Sequence, residues 1–190
     1  MSDIDEKRYY MACLDLEERD CLVVGAGTVG VEKVQGLLEC GGRVTVVAPQ
    51  AAPELEELPV EWLRRAYRSS DLDGRFLVIA ATSNGALNRR VYADAQDRSL
   101  LCNVVDVPEL CSFILPAVHR QGPIAVAVST GGASPALAQR IRNEVAARIG
   151  PEHAELAKRL RHLRPWAKTH FPTYEERRDF FQRLVEQELA

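Results

Sequence analysis

Apolar and polar positions follow two rhythms along the first hundred residues. Cys21-Leu22-Val23-Val24 is an unbroken apolar run that ends in Gly25-Ala26-Gly27-Thr28-Val29-Gly30. Behind it Val31, Val34, Leu37 and Leu38 recur at spacings of three and four, one face of a helix that closes near Gly41-Gly42. Residues 44–47 read as a β-branched strand, stopped by Ala48-Pro49. Strand, helix and strand thus follow within about thirty residues, the length of a βαβ unit. Val60-Glu61-Trp62-Leu63 predicts a third strand and Asp71-Leu72-Asp73-Gly74 a turn. Residues 76–81 predict a strand buried on both faces, because parallel strands read as continuous apolar runs. Leu87, Val91 and Ala95 share a helical face, and residues 100–105 close the series as another strand. This alternation predicts an α/β fold with a Rossmann-like doubly wound parallel sheet.

The pattern changes after Asp106. Residues 113–118 and 124–128 predict a strand pair joined by a turn over His119-Arg120-Gln121-Gly122-Pro123. A helix follows with Leu137, Ile141, Val145 and Ile149 at spacings of four, Ser134 as its N-cap and Pro135 at its first position. From Pro151 the text is charged and helical. Leu156, Leu160 and Leu163 form one stripe, Phe180, Leu184 and Val185 another, and His170-Phe171-Pro172-Thr173 separates them. The expected division is a Rossmann-like domain over 1–112, a small α+β region over 113–150 and a C-terminal helical domain over 151–190.

Composition narrows the class. Of 190 residues, 46% are hydrophobic and 27% charged, which excludes a largely disordered chain. The net charge of -3 leaves no basic excess for a nucleic acid. The first seven residues are acidic and polar, unlike a signal peptide. No apolar stretch approaches the ~18–20 residues of a membrane helix, so no membrane partner is expected. Cys13, Cys21, Cys40, Cys102 and Cys111 form no CxxC pair, and three lie in apolar runs. They read as reduced thiols of a cytoplasmic protein. His119, His153, His162 and His170 are not at ligand spacing, so no metal site is expected. The basic run over 158–164 reads as a solvated helix face, and Trp166 and Phe171 as packing residues.

Three stretches carry candidate chemistry. In the glycine motif Gly25 permits the tight turn, Gly27 lets the backbone approach a pyrophosphate, and Gly30 allows close packing of helix on strand. The helix start supplies N–H groups and partial positive charge for phosphates. A carboxylate that usually follows about 20 residues on, for the ribose hydroxyls, is missing. Val47-Ala48-Pro49-Gln50 stands there, which leaves backbone groups near Pro49 and Gln50 to serve. Asp106 lies just past a parallel strand end, where such sheets bind ligands. A carboxylate buried there suits proton transfer; the competing reading is an Asp that caps the turn before Pro108. The loop Ser129-Thr130-Gly131-Gly132-Ala133-Ser134-Pro135 combines hydroxyls, glycines and a helix start. It suits an anion, or serves only to cap its helix.

In order, these motifs resemble the precorrin-2 dehydrogenase family, the N-terminal module of siroheme synthases. The matching stretches are Leu14-Asp15-Leu16, residues 21–30, 44–49 and 77–82, Cys102-Asn103-Val104-Val105-Asp106, residues 113–117 and residues 129–138. The resemblance implies NAD as cofactor, with no acidic residue after the second strand, and precorrin-2, a tetrapyrrole, as substrate oxidised to sirohydrochlorin. It carries cofactor contacts onto Thr28, Val29, Pro49 and Gln50, beside Gly25, Gly27, Gly30 and Thr82, and the catalytic aspartate onto Asp106. A family serine lining the active site falls at Thr130. Beside it, Asn103, Gly131, Gly132, Ser134 and Arg142 are expected to complete the substrate surface, with a solvated helix face the equal alternative for Arg142. The family's homodimer, built on the segment after Asp106, is also implied. Ala26 stands where a third glycine is common and Gly30 where alanine is common, both read as harmless. Val107 and Ser112 replace frequent acids, which bears on a second, Fe2+-inserting activity that some relatives have. Two other readings stay open: a small NAD(P)-dependent oxidoreductase of simpler substrates, and a non-catalytic NAD-sensing module with a partner-binding tail.

Overall fold

Leu22, Val23 and Val24 cannot all face one core, because successive strand side chains point to opposite sides of a sheet. Two cores are needed, and the computed structural model, which describes residues 8–189, has both. The acidic start, read as no leader, lies outside those residues. Strands β1 (Asp20–Ala26), β2 (Arg43–Ala51), β3 (Glu61–Leu63), β4 (Leu77–Ala80) and β5 (Leu101–Val104) form one parallel sheet in the order β3-β2-β1-β4-β5. Cys21, Val23, Val44, Val46, Leu77 and Ile79 share one face with Val31, Val34 and Leu37 of helix α1 (Thr28–Leu38). Leu22, Val24, Val47, Val78, Ala80, Cys102 and Val104 share the other with Val91 and Ala95 of α2 (Gly85–Gln96). Each such Val or Leu contributes about 1.5–3 kcal/mol by leaving water. The expected doubly wound architecture is therefore present in residues 8–115, one of two compact units.

Pro49 does not stop β2, as the sequence suggested; the strand runs on to Ala51. β3 pairs only with residues 45–47, and β1 shifts register between Val24 and Ala26 before Ala26 meets Ala51. Pro49 thus falls at an irregularity of the ladder, the place a strand tolerates a residue without an N–H. The outer edge of β5 is covered by the segment that follows it. Ser112 N–H donates to the Cys102 carbonyl (2.8 Å), and Cys102 N–H donates to Ser112 Oγ (2.7 Å). Ser112 thus serves the backbone of an edge strand.

The stretch between β3 and β4 is pinned by a buried carboxylate. Asp71 takes two bonds from the Arg65 guanidinium (2.6 and 2.9 Å) and one from Arg68 N–H (2.8 Å). Burial works to raise the Asp71 pKa, but these donors outweigh it and hold the carboxyl below its ordinary value. The pair fixes the chain on either side of Ala66 and Tyr67.

Residues 116–189 form the second unit. A strand pair, β6 (Ala117–Gln121) and β7 (Ile124–Val128), packs with α3 (Pro135–Ala146) and with α4 (Pro151–His170), and α5 (Tyr174–Glu188) follows. The hairpin differs from the sequence expectation. Residues 113–116 are not strand, and His119, Arg120 and Gln121 are. The turn shrinks to Gly122-Pro123 between paired Gln121 and Ile124, with Gly122 at φ 56°, as two-residue hairpins require. Ser134 caps α3 as expected, accepting from Leu137 N–H at 3.2 Å. Thr173 and Glu176 form a reciprocal capping box at the start of α5. The strand pair, α3 and the tail helices share one compact unit.

Candidate active site

The strand ends β1, β2, β4 and β5 open onto one cavity of about 690 Å³. It is lined by Gly25, Gly27, Thr28, Val29, Pro49, Gln50, Thr82 and Asp106, eight of the residues singled out from sequence. Ligands of open parallel sheets bind at such strand ends, where neighbouring connections leave on opposite faces. Here that point lies between β1 and β4.

Each glycine of the motif has a separate reason. Gly25 sits at φ 101°, and a Cβ there would lie 2.5 Å from the Ala81 carbonyl oxygen. Gly30 does not line the cavity. It lies beneath the turn, where a Cβ would fall against the Gly25 carbonyl oxygen. Glycine in place of the commoner alanine at position 30 suits this backbone, because the close approach of helix and turn leaves no room for a Cβ. Gly27 is different, since a Cβ there meets nothing within 4 Å and would project into open space. α1 starts at Gly27 with no side-chain cap and no acidic residue in its first turn. Its N–H groups and partial positive charge thus stay available to a phosphate.

Thr82 is held from below. The hydroxyl donates to Asn88 Oδ1 (2.6 Å) and Asn88 Nδ2 donates to the Thr82 carbonyl (2.9 Å). Asn88 is the buried polar residue of α2, which the apolar pattern of that helix did not reveal. Asn84 caps the same helix through Ala86 N–H and Leu87 N–H (3.0 and 3.1 Å). Tyr67, Ser83 and Leu87 also line the cavity and were not expected. Tyr67 is buried and donates to Asp94 Oδ2 at 2.9 Å; burial, then that bond, raises its pKa and keeps the phenol protonated. Its only sequence signal is a place shortly after the shortest strand.

Asp106 is exposed in the single chain, against the expectation of a buried carboxylate. The capping alternative does not hold either. The turn at Pro108–Leu110 has Val107 at its N-cap position and no side-chain cap bond. Among the described residues, no hydrogen bond or ion pair to the Asp106 carboxylate is present. The residue sits at φ 61°, a left-handed conformation that costs a non-glycine residue of order 1 kcal/mol. Strain and an unpartnered carboxylate meet on a ligand-sized cavity, the combination associated with functional positions. The turn is fixed from behind by Cys111, which accepts from Val104 N–H (3.3 Å) and donates to the carbonyls of Val104 (3.2 Å) and Val107 (3.3 Å).

The expected substrate residues are distributed over both units. Asn103 is buried and donates to the Phe113 carbonyl (3.0 Å), so its amide fastens the segment over β5 and faces no open space. Thr130, Gly131, Gly132, Ser134 and Arg142 belong to the other unit. There the Thr130 hydroxyl closes the loop, donating to the Ser134 carbonyl (3.1 Å) and accepting from Ser134 N–H (3.0 Å). Gly131 and Gly132 supply its positive-φ turn. Arg142 is half-buried; its guanidinium donates to the Val118 carbonyl at 3.3 Å, and its Nε is buried with no hydrogen-bond partner among the described residues.

No disulfide joins cysteines among the described residues. Cys21, Cys102 and Cys111 are buried, and burial pushes the thiols of Cys21 and Cys102 up to about 11 and about 12. Among those residues no cluster of His, Cys, Asp or Glu is placed to hold a metal, and no helix is long and apolar enough to cross a membrane.

The cavity fits a dinucleotide. It has an uncapped helix start, glycine backbone without side-chain cover, and a strand-end position. Comparison with known proteins agrees. The family model described as "Putative NAD(P)-binding" matches residues 12–117, and "Sirohaem biosynthesis protein central" matches residues 121–148. Siroheme synthase of Thioalkalivibrio sulfidiphilus is 42% identical over 182 residues, covering 94% of this chain and 37% of that protein. Siroheme synthase of Ectopseudomonas mendocina is 41% identical over 177 residues, covering 92% and 38%. The chain thus spans under two-fifths of these curated relatives. Among solved structures, "SirC, precorrin-2 dehydrogenase" superposes with a TM-score of 0.80 at 26% identity, covering 96% of this chain and 93% of that one. With one model matching more than half of its length, the chain belongs to the putative NAD(P)-binding family, and it is similar to siroheme synthases and to a precorrin-2 dehydrogenase.

Proposed function

We propose that this chain oxidises precorrin-2 to sirohydrochlorin with NAD+. One observation carries the reading: the glycine turn and the unpartnered Asp106 line the same cavity. When bound, NAD+ supplies the two-electron acceptor. The N–H groups at the start of α1 would hold the diphosphate beside Gly25 and Gly27, and Pro49 and Gln50 border the cavity where β2 ends. Asp106 is the sole charged residue in that lining, so no Arg or Lys stands ready for a 2′-phosphate, which favours NAD+ over NADP+. The substrate loses one hydrogen with its electron pair to the cofactor and a second as a proton. Asp106 accepts that proton and returns it to solvent. Most of the acceleration comes from holding the macrocycle against the cofactor.

The same reading has the chain act as a homodimer in the cytoplasm. Leu137 and Ile141 of α3 are 50% and 37% exposed, an apolar stripe the single chain leaves uncovered beside a short strand pair. Such a pair is only marginally stable without further packing. The buried thiols without disulfides suit a reducing compartment.

The test is an anaerobic mixture of protein, precorrin-2 and NAD+. The expected result is sirohydrochlorin absorbance rising together with NADH, one for one, and a slower rate with NADP+. Oxidation of simple alcohols with precorrin-2 untouched would favour a general oxidoreductase; NAD+ binding without any turnover would favour a sensor.

A further inference from the structure

The last turns of α4 and one face of α5 enclose a groove of about 680 Å³ that the reaction above does not use. Arg164 and Lys168 lie one turn apart on α4, while Tyr174, Arg177, Arg178, Phe181 and Val185 line the α5 side. Four cations thus face Glu186, the sole carboxylate of the lining. Two cations are already engaged: Arg177 donates to the carbonyls of Phe171 (2.6 Å) and Pro172 (2.9 Å), and Arg178 pairs with Asp179 at 2.7 Å. Among the described residues Arg164 and Lys168 have no ion pair or hydrogen bond. Between the charges the surface is apolar: Phe181 and Val185 line it with Pro165, which lies within α4, and Tyr174 is 68% exposed. Aromatic rings pack against one another at the corner. Trp166 stacks on His170 at 4.3 Å and meets Phe180 at 5.6 Å, and Phe171 meets Phe180 at 5.0 Å.

A run of cations on a helix is usually solvated. This one differs because its unpaired members border a ligand-sized, partly apolar groove with an exposed aromatic ring. We propose that the groove binds a flat polycarboxylate: its rim carboxylates meet Arg164 and Lys168, and its body lies on Tyr174, Phe181 and Val185. Naming the tetrapyrrole substrate or product as that ligand rests on the function proposed above.

The full chain is titrated with uroporphyrin, a flat polycarboxylate macrocycle, by fluorescence anisotropy. Arg164→Glu combined with Lys168→Glu is expected to weaken binding about tenfold or more, and Arg164→Lys with Lys168→Arg to change it less than about threefold. Both sites are exposed, and circular dichroism of the variants should match wild type. Charge-reversed protein that binds uroporphyrin within about threefold of wild type overturns the proposal. So does equal displacement by tripolyphosphate, which has charge but no flat body. If wild type leaves precorrin-2 unoxidised while uroporphyrin binding still depends on Arg164 and Lys168, the groove stands and the enzymatic reading falls.

Discussion

Asp106→Asn is expected to lower precorrin-2 turnover by about 10²–10⁴-fold, the range for loss of a general base, while NAD+ binds as in wild type. Asparagine is the informative replacement. It keeps the side-chain shape and tolerates the left-handed backbone at φ 61°, so the turn is retained and only proton acceptance is lost. Alanine would mix backbone strain with lost chemistry. Steady-state rates and NAD+ titration on one preparation separate the two effects. Turnover within about threefold of wild type would remove Asp106 from the chemical step.

The glycine motif is expected to split in two under substitution. Gly25→Ala places a Cβ 2.5 Å from the Ala81 carbonyl oxygen in a backbone that side chains rarely adopt. Together, conformational strain and overpacking cost about 2–5 kcal/mol, a large share of a domain's stability. The urea midpoint of the nucleotide-binding unit should fall accordingly. Gly27→Ala meets nothing within 4 Å, so stability should stay within about 0.5 kcal/mol. Its methyl group would project into the space proposed for the diphosphate, and NAD+ affinity should drop by about tenfold or more. If Gly27→Ala binds NAD+ as wild type does, the diphosphate is not on this turn.

The sheet was legible because its rule is simple. A strand buried on both faces must be apolar throughout, and residues 21–24 and 77–80 obey that while glycines mark the turn between β1 and α1. The cavity followed, since strand ends in a parallel sheet gather residues from distant positions. The strand pair was misplaced because β6 carries His119, Arg120 and Gln121, and a half-buried strand tolerates polar residues that read locally as a turn. Asn88, Tyr67 and the inward turn of Arg142 were invisible for a different reason. Each is defined by a partner from another element: Thr82, Asp94 and the Val118 carbonyl. No local pattern encodes such a pairing. The groove between α4 and α5 was hidden likewise, because a basic run reads as a wet helix face until a second helix stands beside it.

The proposed chemistry depends on where the nicotinamide binds. Diffraction from crystals grown with NAD+ locates it directly. The expected density has the diphosphate over Gly25 and Gly27 at the start of α1 and the nicotinamide ring beside the Asp106 carboxylate. A dinucleotide bound elsewhere, or one whose nicotinamide points away from Asp106, would contradict it.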